Sequence, residues 1–83
     1  MSLTIAYLPP ATLALRRFRE DDPALFGQMR RAIRALADDP YPDGAVPWGT
    51  SGFWRLHEGG IRITYEVDEE AGAVYIAHAG VAS

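Results

Sequence analysis

The chain has no cysteine, no lysine and no long apolar run. Without cysteine there is no disulfide framework, no thiolate metal site and no thiol nucleophile. That absence fits a reducing compartment. No stretch approaches the roughly 18 apolar residues that a membrane-spanning helix needs. The opening Met1-Ser2-Leu3-Thr4-Ile5-Ala6-Tyr7 lacks the basic start and apolar run of a secretory signal, so a cytoplasmic location is expected. The two histidines, His57 and His78, do not have zinc-ligand spacing, and there is no Gly-rich phosphate loop, nucleophile elbow or heptad seam. Neither a metal nor a cofactor is expected.

All eight basic residues are arginine. Arginine presents a planar fork that suits bidentate contact with phosphate or carboxylate. Arg16, Arg17, Arg19, Arg30, Arg31 and Arg34 lie in the first half, whereas Glu66, Asp68, Glu69 and Glu70 lie in the second. The formal net charge of −3 argues against a broad nucleic-acid-binding surface but leaves room for a local cationic stripe. Eighty-three residues form a single domain, 1–83. A chain of this size buries only roughly 60–65% of its unfolded surface, so most of its 48% hydrophobic residues must serve one core.

The stretch Phe53 to Val67 reads as two strands joined at Gly59-Gly60. Both turn residues can take positive φ at little steric cost, which favours a two-residue hairpin loop. In that register Glu58 faces Ile61, His57 faces Arg62, Leu56 faces Ile63, Arg55 faces Thr64 and Trp54 faces Tyr65. Side chains alternate across a sheet, so two faces separate. Trp54, Leu56, Ile61, Ile63, Tyr65 and Val67 form a core face. Phe53, Arg55, His57, Arg62, Thr64 and Glu66 form a polar face, with two arginines and a histidine close together. That face is the candidate functional surface.

Leu3 to Leu8 alternates and is rich in β-formers, which predicts a strand. Pro9-Pro10 ends it and suits the start of a helix running to about Glu20, with Ala11, Leu15 and Phe18 as its buried stripe. Asp22 is the expected N-cap of a second helix, and Pro23 fits its first position. This helix should run to about Ala37, burying Leu25, Met29, Ile33 and Leu36, with Phe26 and Ala32 beside them. Arg30, Arg31 and Arg34 fall on the opposite side, either as a solvated face or as a contact for an acidic partner or phosphate.

Asp38 to Gly52 holds three prolines and three glycines and reads as a loop, with Trp48 expected to pin it to the body. Asp68 to Gly72 is an acidic turn, and Val74 to His78 is the last strand. His78 alternates with Val74 and Ile76 and is expected in the core; Tyr65 and Tyr75 are expected to pack. The order is strand, helix, helix and three consecutive strands. The economical α+β arrangement lays both helices on one face of a small, mainly antiparallel four-stranded sheet. The other sheet face, with Arg55, His57 and Arg62, stays open to solvent.

The chain resembles the RelE/ParE superfamily of bacterial type II toxins over nearly all its length. The resemblance rests on Leu36-Ala37-Asp38-Asp39-Pro40, a Pro/Gly loop, Gly52-Phe53-Trp54-Arg55-Leu56, and then Gly60-Ile61-Arg62-Ile63-Thr64-Tyr65-Glu66-Val67. It implies the β-α-α-β-β-β fold and a toxin that partners an antitoxin. For RelE-like members it further implies a ribosome-dependent endonuclease acting on messenger RNA without a metal. Such an enzyme uses the RNA 2′-OH as nucleophile, so protein groups must move protons and stabilise phosphate charge. By the same resemblance Arg62 matches a phosphate-stabilising arginine, and Arg55 matches an arginine that is often structural. His57, opposite Arg62, is the candidate for proton transfer.

Two stretches depart from the pattern. Relatives often carry a Lys-Leu-Lys-Gly-like segment before the hairpin, where this chain reads Val46-Pro47-Trp48-Gly49. They also end with an arginine after the last strand, where this chain reads His78-Ala79-Gly80-Val81-Ala82-Ser83. One preorganised donor is typically worth about 3 kcal/mol at a transition state, so cleavage is expected to be weakened. The alternatives are a non-catalytic protein on the same scaffold, either a ParE-like gyrase inhibitor or an antitoxin-binding homologue, and a small sheet-edge interaction module. The expected partners are a cognate antitoxin, the ribosome with its messenger, or a second copy of the chain. No membrane contact is expected.

Overall fold

A computed structural model describes residues 2–50 and 52–82. Met1 and Ser51 lie outside the described residues, as does Ser83 in the C-terminal stretch compared above. Strand β1 (Thr4–Tyr7) leads into helix α1 (Pro9–Asp21) and helix α2 (Pro23–Ala35). Strands β2 (Ala45–Trp48), β3 (Phe53–Glu58), β4 (Ile61–Asp68) and β5 (Ala73–Val81) follow. The sheet order is β1-β5-β4-β3-β2. Only the β1–β5 pair is parallel; the other three pairs are antiparallel.

Local chemistry explains the helix junction. Pro9 and Pro10 open α1, where missing N–H groups cost nothing. Asp22 closes α1 and caps α2, its carboxylate accepting from the Leu25 N–H at 3.2 Å, with Pro23 at the first position. The core is continuous between the helices and one sheet face. Ala11, Leu15, Met29, Ala32, Ile33 and Leu36 meet Leu56, Ile61, Ile63, Tyr65, Val74, Ile76 and Ala79. Both helices therefore cover one face, as the apolar spacing predicts.

The hairpin register is the expected one at every pair from Glu58↔Ile61 to Trp54↔Tyr65. Gly59 and Gly60 have φ of 56° and 84°, in the left-handed region where a side chain is strained. Gly59 is also held from outside: Gln28 on α2 donates from Nε2 to its carbonyl at 2.7 Å. A Cβ at Gly59 would sit on that same amide nitrogen. Gly59→Ala should therefore lose the Gln28 bond and strain the turn, costing about 1–2 kcal/mol. Urea denaturation would show this as a lower midpoint at unchanged slope.

The sheet has five strands, not the four expected. Residues 45–48 lie within the expected loop but pair with β3, Ala45 opposite Leu56 and Trp48 opposite Phe53. Pro47 hides the strand in the sequence, because proline cannot donate to a ladder. At the sheet edge only one row of backbone groups needs partners, so proline is tolerated there. Trp48 does not pin the loop; it is 49% exposed. The anchors are Tyr65, whose hydroxyl donates to the Pro40 carbonyl at 2.6 Å, and Tyr41, whose ring lies 4.9 Å from that of Trp54. The Tyr41 hydroxyl also donates to Glu69 at 3.1 Å, tying the loop to the acidic turn.

Candidate functional site on the open sheet face

The helices leave the second sheet face bare. The register puts Val46 beside Arg55 and Thr64, and puts His57 beside Arg62. Phe53, between Trp48 and Glu66, belongs to the same face. The three sequence candidates therefore come together: His57 is the direct cross-strand partner of Arg62, and Arg55 is one residue pair away on that face.

Arg55 is held more tightly than sequence alone suggests. Its guanidinium carbon lies 3.4 Å from the centroid of the Trp48 ring, a close cation–π stack. This stack needs β2, because only a strand at that edge places Trp48 diagonally across from Arg55. The Arg55 Nε is buried and has no hydrogen-bond partner, the one such side-chain atom among the described residues. A buried donor without an acceptor is costly and calls for a reason. Its acidity points the same way. The Arg55 pKa is lowered, first by desolvation and then by the positive charge of Arg62. Two guanidinium groups thus sit close enough to repel, with an unsatisfied N–H on one of them. An anion between them would relieve the repulsion, and it could accept from arginine forks on two strands.

His78 is not in the core. It is exposed and pairs with Thr64, which places it on the open face. A register shift between Thr64 and Tyr65 causes this: Thr64 faces His78 while Tyr65 faces Ile76, so Ala77 is an extra residue. The bulge reverses the facing of everything after it. Val74 and Ile76 are buried before it and Ala79 after it. Burial thus passes from even to odd positions, and His78 turns outward. The phase change from Ile76 to Ala79 is visible in the sequence only as a run of small residues around His78. Tyr75, expected to pack, is half-buried opposite Glu66.

On the helix side, Arg30, Arg31 and Arg34 are exposed, as expected. Arg30 lies 5.8 Å over the Phe26 ring. It joins Arg16 and Arg19 along a groove floored by Leu15 and Phe26 and closed by Tyr7. This groove draws on both helices and the end of β1, so no single motif announces it. Among the described residues there is no cluster of histidine and carboxylates able to hold a metal. No helix among the described residues is long and apolar enough to cross a membrane.

No family model matches the chain, and no curated protein sequence does. The fold is nevertheless a known one. A chain of the RelBE2 toxin–antitoxin complex of Mycobacterium tuberculosis superposes with a TM-score of 0.83 at 18% identity, covering 98% of this chain and 92% of that one. The YoeB/ParE toxin of Agrobacterium tumefaciens gives 0.83 at 13% identity, covering 98% and 100%. A chain of the archaeal RelE–RelB complex of Pyrococcus horikoshii gives 0.76 at 17% identity, covering 98% and 96%. This chain has the RelE fold. The RelE fold accounts for the element order, the helices on one side and the mostly antiparallel sheet. At these identities it does not carry the chemistry across, which must come from the residues on the open face.

Proposed function

We propose that this RelE-fold protein is the toxin of a type II toxin–antitoxin pair, acting as a ribosome-dependent endonuclease on messenger RNA. The observation that carries the reading is the Arg55–Arg62 pair on bare sheet, with Trp48 behind Arg55 and a buried Nε left without an acceptor. That arrangement fits a phosphodiester. Arg62 would take the phosphoryl charge as it develops, and His57 beside it would move a proton. Arg55, packed on Trp48, would hold a neighbouring phosphate. The reaction forms a bond from the 2′-oxygen to phosphorus and breaks the bond to the 5′-oxygen. It requires proton transfer and charge stabilisation, both of which these side chains can supply.

A protein partner is part of the same reading. Two of the similar structures are toxin–antitoxin complexes. The groove lined by Arg16, Arg19 and Arg30 over Phe26 offers cations above an apolar floor to an acidic segment of an antitoxin. The net charge of −3 favours the rival reading, a non-catalytic protein on this scaffold such as a gyrase inhibitor. One experiment separates them. Inducing the chain alone in a bacterium should arrest growth with cleavage of messenger within codons, and co-expressing the neighbouring gene should relieve the arrest. Arrest with intact messenger and loss of gyrase supercoiling would favour the rival. Unaffected growth would end both.

A further inference from the structure

Arg62 is flanked by an imidazole on each neighbouring strand. On β3 its direct partner is His57. On β5 its direct partner is Gly80, which has no side chain to fill the position. His78 occupies that space instead. A Cβ at Gly80 would lie 3.3 Å from Cε1 and 3.8 Å from Nδ1 of His78, so the ring leans along β5 over the bare glycine. The bulge at Ala77 turns His78 to this face, and Gly80 lets it lie beside Arg62. The same bulge that turns His78 outward brings Ala79 into the core opposite Ile63.

We propose that His57 and His78 act as a general acid–base pair across a phosphate bound at Arg62, making His78 a catalytic residue. The proposal rests on the endonuclease reading and adds the second proton carrier that reading lacks. One imidazole takes the proton from the 2′-OH as the 2′-oxygen bonds to phosphorus. The other, as imidazolium, gives a proton to the departing 5′-oxygen as its bond to phosphorus breaks. The products are a 2′,3′-cyclic phosphate and a 5′-hydroxyl, and one proton has passed from one side to the other. The spacing fits. Strands β3 and β5 are two strand spacings apart, about 9.5 Å, and the lean of the His78 ring toward Gly80 offsets its displacement by one pair along β5 from Arg62. Two hydrogen bonds of about 2.8 Å leave about 4 Å for phosphorus and its two apical oxygens. In-line displacement needs acid and base on opposite sides of phosphorus, and the strands on either side of Arg62 provide that.

The charged groups around His78 are Arg62 and, further across the sheet, Arg55; at the edge of β5 that β1 leaves unpaired, Arg17, Asp21 and Asp22 of α1 line a groove with residues 78–80. His78 therefore has neighbours of both signs. The glycine explains why the ring is not displaced: any larger residue at 80 would compete for the same space.

The test uses the purified protein with programmed ribosomes and a defined messenger. His78→Gln and His57→Gln should each slow cleavage about 10²–10⁴-fold while leaving thermal unfolding unchanged. The rate of the unmutated protein should be bell-shaped in pH, and each substitution should remove one limb. Gly80→Val should slow cleavage through the displaced ring without removing an ionisable group. A His78→Gln protein that cleaves at the original rate, or keeps both limbs, overturns the proposal. A second measurement separates it from the reading beneath it. On addition of uridine 3′-monophosphate, the Cε1 proton resonances of both histidines should move with one shared affinity, and neither should move in Arg62→Ala. If both move but ribosomes show no cleavage, the endonuclease reading falls and the acid–base roles fall with it, leaving a phosphate-binding site between the two imidazoles. If His78 does not move, the proposal falls whatever the cleavage result.

Discussion

Arg62→Ala is expected to lower messenger cleavage by about 10²–10³-fold, the loss typical of one preorganised donor at a developing oxyanion. Stability should change by no more than about 0.5 kcal/mol, because the side chain is half-buried on a solvent-facing surface and no core contact is lost. Arg62→Lys should recover part of the rate. It restores a charge but not the two-pronged geometry, so affinity for substrate should recover more than turnover. Arg55→Ala should behave differently, since its guanidinium packs on Trp48. It should weaken binding and change the Trp48 fluorescence together. Single-turnover cleavage on programmed ribosomes, with intrinsic fluorescence in parallel, checks all three substitutions. A full cleavage rate from Arg62→Ala would remove the phosphate role and leave the open face as a binding surface only.

The legible and illegible parts of this chain divide along a physical line. The hairpin register was readable because two glycines with no alternative geometry fix it, and every pair from Trp54–Tyr65 to Glu58–Ile61 follows. The α2 cap was readable for a similar reason: Asp22 followed by Pro23 has one good use in a chain. These are local constraints. What could not be read depends on what a strand lies against. Strand β2 is recognisable only by its pairing with β3, since Pro47 argues against a strand in isolation. The Arg55–Trp48 stack follows from β2 and was lost with it. Strict alternation from Ile76 puts His78 in the core, but an extra residue breaks it, and a bulge belongs to the ladder between two strands rather than to either one. Arg55, His57 and Arg62 lie on a regular hairpin, so their shared face is legible in the sequence; His78 lies beyond a bulge, so its face is not.

Tyr65→Ala should be the most destabilising change in the chain, costing about 3–5 kcal/mol. A domain of this length has roughly 4–12 kcal/mol in total, so the variant should be largely unfolded at physiological temperature or close to it. The ring is fully buried among the core side chains, and its hydroxyl is the loop's contact with the core at Pro40. Tyr65→Phe isolates the hydroxyl. It keeps the ring but strands the Pro40 carbonyl, at a cost of about 1 kcal/mol. That smaller change should still reach the open face. The loop from Pro40 leads directly into β2, so loosening it should loosen Trp48 and, through it, Arg55. Hydrogen exchange should therefore speed up in β2 before it does in β4. Alkali gives a third handle on the same bond. Burial, with the nearby Tyr41 and Asp39, pushes the Tyr65 hydroxyl up from 10 to about 12. A group whose folded pKa is raised holds its proton better when folded. Its contribution is complete below pH 10 and lost as the pH rises to about 12. Denaturation midpoints of the unmutated protein should fall across that window, and the fall should be shallower in Tyr65→Phe, which has no proton there to lose.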